Sequence, residues 1–197
     1  MIWPGVRPFP YVGPAESIFG FTFQQPYATA IIEGPKRDEN RGKPPPLRLK
    51  GRAFWIAIHA GATFYDGATE AGFRRPRIGH FTSAALWPAC PDFATLPMRC
   101  ILGAARVVGW DEYGHLDSRR PWAFGPWVWC LDRTVIRLPR PLPLRRGALG
   151  LWTLTPSLAD QPENMSRSEW GVHVGQCADA LAALRAAKDD PACWRTP

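Results

Sequence analysis

Residues 21–41 read Phe-Thr-Phe-Gln-Gln-Pro-Tyr-Ala-Thr-Ala-Ile-Ile-Glu-Gly-Pro-Lys-Arg-Asp-Glu-Asn-Arg, and the rest of the chain is interpreted from them. They spell a strand, a short helix over Pro26 to Glu33, a turn and a charged segment. Pro26 suits a first helical position, where its missing N–H costs nothing and its φ is already helical. Tyr27, Ala30 and Ile31 fall at i, i+3 and i+4 and so share one helical face. Gly34 can supply a left-handed residue that closes the helix, and Pro35 prevents its continuation. Lys36, Glu39 and Arg41 then follow within six residues. In extended backbone Glu39 and Arg41 point to the same side.

Further along, Phe54 to Ala60 is a strand apolar on both faces, as expected of a strand covered on both sides. Trp55, Ala57 and His59 share one face, and Phe54, Ile56 and Ile58 the other. Cys100 to Trp110 and Trp127 to Leu131 read as strands, and Thr134 to Leu138 continues the sheet. Pro139, Pro141 and Pro143 then mark an edge or crossover. Leu149 to Leu154 closes the sheet. Residues 61–98 are weakly patterned; one or two short helices are expected there, with Arg74, Arg75 and Arg77 on an exposed turn. The first 18 residues carry four prolines among Trp3, Phe9 and Tyr11, which suits an extended arm laid over the fold. From Pro156 the composition changes. Ser166 and Glu169 form a capping box, and Cys177, Leu181 and Leu184 recur at helical spacing. That helix can pack on the sheet or serve a homodimer.

The blocks Gln25-Pro26-Tyr27, Ile31-Ile32-x-Gly34 and Lys36-x-x-Glu39-Asn40-Arg41 resemble the ASCH family of the PUA-like superfamily. Ala57-Ile58-His59-Ala60, the run from Ile101 to Val108, and Pro141 to Trp152 are similar to later strands of that family. The resemblance covers about residues 19–155. It implies an α+β fold: a small mixed β-barrel with a short helix after the first strand. The barrel domain it implies (19–155) is flanked by the proline-rich N-terminal arm (1–18) and the C-terminal helical extension (156–197) read from composition. It also implies that Lys36, Glu39 and Arg41 line a cavity between helix and barrel.

The chain has 24 basic residues against 17 acidic ones, a net charge of +7. Twenty of the 24 are Arg, whose planar fork binds phosphate bidentately and stacks on rings. The bias fits a nucleic-acid partner, and a GC-rich genome would raise Arg, Ala and Pro together in the same way. Five cysteines with no Cys-x-x-Cys pair argue for reduced thiols rather than a zinc or redox centre. The four histidines show no ligand spacing, so neither metal nor cofactor is expected. No apolar run approaches the about 20 residues of a membrane span, and a soluble cytoplasmic protein is expected.

Two kinds of side chain carry chemistry. Lys36 and Glu39, with Tyr27 nearby, can act as acid and base if burial moves their pKa values, or they can form a structural ion network. Ten tryptophans, among them Trp122, Trp127 and Trp129, can fill a core or offer a stacking platform for bases. The favoured reading is binding of single-stranded or modified RNA, ahead of DNA. Gln25, Lys36, Arg41, Arg74 and Arg75 would hold the strand, and Trp122 or Trp127 would stack a base. The second reading is a ribonuclease or nucleoside amidohydrolase. In the amidohydrolase branch of the family a Thr nucleophile stands three residues after the Lys; here that position is Glu39, which removes that route. The third is a protein-interaction adaptor. His59, on a buried strand, reads as a hydrogen-bonded core histidine or a general base.

Overall fold

The architecture is that of a computed structural model, which describes residues 7–8 by their backbone together with residues 17–46, 49, 52–65, 87–112, 120–123 and 126–197. In chain order the elements are β1 (Arg7–Pro8), β2 (Ile18–Gln25), α1 (Tyr27–Ile32), β3 (Asp38–Arg41), β4 (Phe54–Phe64), β5 (Cys100–Glu112) and β6 (Trp127–Pro143), followed by β7 (Leu151–Thr153), α2 (Arg167–Asp189) and β8 (Trp194–Arg195). The fold is α+β, built on one mixed sheet. Its ladder path is β3-β6-β5-β4-β2-β7, with β1 on β5 and β8 on β6. β2 runs parallel to β4, and every other pairing is antiparallel. The path has two ends, β3 and β7, with no ladder joining them among the described residues. Among the described residues the sheet does not close into the barrel expected from the sequence.

The sheet is buried on both faces because β4 is apolar on both. Phe54, Ile56 and Ile58 meet Phe21, Ile31, Ile32 and Trp129 in a core under α1. Trp55 and Ala57 face the opposite way and pack with Ile101, Ile136, Leu181 and Leu184 under α2. The face assignment made from period-two alternation holds for these five residues.

Three local readings are revised. Helix α1 starts at Tyr27 with Pro26 as its N-cap; Pro26 makes no side-chain cap, and Gln25 Oε1 accepts from the Thr29 N–H at 3.2 Å. Gly34 is not left-handed, since Gly150 (φ 79°) is the glycine with positive φ among the described residues. Gly34 is instead a point of close approach: a Cβ there would sit 2.7 Å from the Trp87 indole. Finally, β6 does not end at the prolines but runs to Pro143. It pairs at Arg137 with Gly103 and at Leu142 with Ile101, so the four intervening residues face only Leu102 in an irregularity of the ladder. Pro139 and Pro141 fall inside that interval, where no ladder N–H is required of them.

The C-terminal segment is integral to the sheet. Ser166 Oγ accepts from the Glu169 N–H at 3.2 Å, and the Glu169 carboxylate accepts from the Ser166 N–H at 3.1 Å, closing the capping box. Cys177, Ala180, Leu181 and Leu184 are buried against the sheet, so the Ala/Leu face is occupied within the chain. β8 pairs Trp194 with Ile136, taking up the edge of β6 beyond the end of β3. All five cysteines are free and buried. No helix among the described residues is long and apolar enough to cross a membrane.

Candidate functional site

The turn after α1 delivers three charges to one place. The Lys36 N–H bonds back to the Ala30 carbonyl at 3.1 Å, which fixes the start of the charged segment over the helix. Edge strand β3 then pairs with β6, setting Glu39 opposite Trp129 and Arg41 opposite Trp127. Alternation along β3 separates its two acids. Asp38 turns inward to Arg120, whose Nη2 donates to Asp38 Oδ1 at 2.7 Å and whose Nη1 donates to Asp111 Oδ2 at 2.9 Å. Burial opposes the Arg120 charge, but these two carboxylates outweigh it and hold its pKa above the usual value. Glu39 turns the other way and faces a cavity.

That cavity has a volume of about 610 Å³, and Lys36, Glu39, Asn40 and Arg41 line it with Tyr27 and Tyr65. Thr22, Thr63 and the 147–149 segment complete the wall. A site of this size, mostly apolar with a few convergent polar groups, suits a small ligand or one base of a polymer. Lys36 is only 2% exposed. Its ammonium donates to Glu39 Oε2 at 3.1 Å and to the Asp38 carbonyl, and lies 5.6 Å from the Tyr27 ring centre and 5.9 Å from that of Trp122. A carboxylate, a carbonyl and two ring faces thus surround the buried ammonium. Arg41 Nη1 lies 3.7 Å from Glu39 Oε1, and its guanidinium sits over Phe21 at 4.8 Å. Burial first, then Tyr65 and Glu39, push the Tyr27 phenol well above its ordinary range. At neutral pH the Tyr27 phenol therefore keeps its proton.

The residues named from sequence separate into groups. Lys36, Glu39, Arg41 and Tyr27 come together in the cavity. Gln25 does not line it: it is fully buried, and its amide donates to Thr29 Oγ1 at 2.8 Å and to the Pro97 carbonyl at 2.6 Å. Trp122 is 2% exposed and packs edge-on to Tyr27 behind the cavity wall. Trp127 stacks at a tilt on Trp110, outside the lining. No tryptophan lines the cavity among the described residues; the rings in its lining are those of Phe23, Tyr27 and Tyr65, the two tyrosines 5.3 Å apart. Arg74 and Arg75 lie outside the described residues.

His59 is a hydrogen-bonded core histidine. Its Nε2 lies 2.8 Å from the Leu144 carbonyl, which can only accept, so the proton is on Nε2. Nδ1 then accepts from the Thr22 hydroxyl at 3.1 Å, and the Trp152 indole N–H donates to Thr22 at 3.3 Å. Burial holds the His59 pKa below its ordinary value. Sequence reasoning missed Tyr65, Thr22 and the 147–149 wall. Tyr65 follows directly on the apolar run of β4, whose full length to Phe64 would have drawn it in. The Asp38–Arg120 pair spans 82 residues and leaves no local signal. No protein-family model matches the chain, and no curated protein matches it.

Proposed function

We propose that this protein binds single-stranded nucleic acid, RNA in preference to DNA, with one base held in the cavity between Lys36, Arg41 and the two tyrosines. The observation that carries the reading is the convergence of Lys36, Glu39 and Arg41 on a cavity walled by Tyr27 and Tyr65. Arg41 supplies an accessible cation for phosphate, with 27% of its side chain exposed. Lys36 is spent on Glu39 and the backbone, so it shapes the potential of the cavity more than it grips the strand. The net charge of +7 adds a non-specific electrostatic term. Single-stranded bases are the ones that can be splayed onto aromatic faces. We also read the fold as ASCH-like within the PUA-like group. The strand–helix–charged-segment order and the parallel β2–β4 pair support that reading, and the open ladder path counts against a closed barrel.

Fluorescence anisotropy with labelled single-stranded RNA and DNA tests the reading. Arg41→Gln should weaken binding to all sequences alike and flatten the slope of log K against log salt by about 0.7. Tyr65→Ala should cost about 1–3 kcal/mol of affinity and leave that slope unchanged. Absence of binding at low salt to either nucleic acid removes the reading and leaves the interaction adaptor.

One observation favours a second reading. The Lys36 ammonium and Glu39 carboxylate are 3.1 Å apart at a cavity wall beside a neutral phenol, an arrangement able to move protons during phosphodiester cleavage. Loss of RNA cleavage in Lys36→Met with binding intact would establish it.

A further inference from the structure

A second cleft, of about 280 Å³, adjoins the segment that walls the cavity. It is lined by Arg99, Arg145 and Arg146, with Ser168, Glu169 and His173 of α2 opposite. The three guanidinium groups come from two different segments, and none makes a hydrogen bond or ion pair among the described residues. The only carboxylate in the lining among the described residues, Glu169, is engaged by the Ser166 N–H and hydroxyl in the capping box. The cleft therefore holds three cations around one carboxylate already bonded to its own helix end. His173 adds no charge at neutral pH, since burial and then Arg146 hold its pKa below the usual value.

The cleft abuts the cavity through the backbone. Arg146 lines one and Gly147 the other, and consecutive Cα atoms are about 3.8 Å apart. Just before β5, the Arg99 N–H bonds to the carbonyl of Gly61, which lines the cavity, and the Arg99 carbonyl accepts from the Leu144 N–H at 2.9 Å. Arg99 makes both bonds at φ 52°, a left-handed conformation uncommon for a non-glycine residue. Its backbone thus pins together the two segments that carry the arginines, at the rim of the cavity.

We propose that the Arg99–Arg145–Arg146 cleft holds a backbone phosphodiester of the same strand whose base occupies the cavity, so that the ligand is an oligonucleotide and not a free nucleoside. This rests on the nucleic-acid reading of the cavity. Planar guanidinium forks suit a phosphate's paired oxygens. The wall segment 144–149 would then separate a base site from a phosphate site, with the strand crossing over it.

The test compares wild type, R145Q/R146Q, R145K/R146K and R41Q by anisotropy on a labelled single-stranded RNA of about twelve bases. Both arginine side chains are exposed, so R145Q/R146Q should melt with the wild type. Its affinity should fall about tenfold, and its salt slope should flatten by about 0.7 for each phosphate it no longer neutralises. R145K/R146K should keep most of the slope. Inorganic phosphate should compete with RNA for the wild type and not for R145Q/R146Q. If R145Q/R146Q binds RNA with the wild-type affinity and slope while R41Q is weakened, the cleft is not a phosphate site and the cavity reading stands. If wild type binds no RNA or DNA at low salt, the cavity reading falls and takes this one with it.

Discussion

Lys36 and Glu39 are a buried pair, and removing one partner has a different meaning from removing both. Glu39→Ala leaves the Lys36 ammonium facing only the Asp38 carbonyl and two rings, and should destabilise the protein by about 3–5 kcal/mol in urea unfolding. The double variant Lys36→Met/Glu39→Leu removes the uncompensated charge and should recover most of that deficit. His59 gives a second prediction at this scale. Its folded-state pKa is lowered by burial, so between that value and about 6.5 the unfolded chain binds more protons than the folded one. Stability should therefore be full above about 6.5 and decline as pH falls below it. His173 is lowered too and contributes to the same decline. His59→Gln should be less stable at neutral pH yet show a shallower fall towards pH 5, measured as urea midpoint against pH.

Among the elements, the interface between β5 and β6 is the least tolerant. A Cβ on Gly103 would lie 2.0 Å from the Ile136 carbonyl oxygen and 3.0 Å from Ile32 Cδ1 of α1. The first neighbour is backbone in a ladder and cannot swing aside. Gly103→Ala should lower stability by at least about 1–3 kcal/mol, read by thermal or urea unfolding. Elements of this sheet were legible from sequence where period decided them. β4 and β5 announce themselves by apolar runs, α2 by Ser166 and Glu169, and the two faces of β4 by alternation. What was not legible depended on distant partners. Asp38 and Glu39 are equivalent neighbours in sequence, and only Arg120 on one side and open space on the other assign them different work. Trp122 reads like an aromatic platform until its 2% exposure is known. Proline at 139 and 141 signals an ending, yet a ladder irregularity lets the strand pass through.

For the whole molecule, the C-terminal segment is part of the domain. Leu181 and Leu184 each bury a side chain worth roughly 1.5–3 kcal/mol, so together roughly 3–6 kcal/mol, against a typical total stability of about 5–15 kcal/mol. A chain stopped at residue 155 also exposes Trp55, Ala57, Ile101 and Ile136 on the sheet. It should lack a cooperative unfolding transition by circular dichroism and bind a hydrophobic dye. A truncated chain that unfolds cooperatively with wild-type stability would show that the helix is an accessory.

The strand order also sets a timetable for synthesis. β2 leaves the ribosome early, yet its neighbours in the sheet arrive late: β4 completes at Phe64, and β7 places Leu151 beside Phe21 only after β5 and β6 have emerged. The face under α2 stays uncovered longer still, until Leu184 is out. A nascent chain must therefore carry Phe21 without its β7 neighbour, and Trp55 without its helix, until those later segments are made. Distant pairings of this kind form slowly and leave apolar surface open to association. Slowing or pausing translation between Trp55 and Leu184 would lengthen that exposure rather than help the fold.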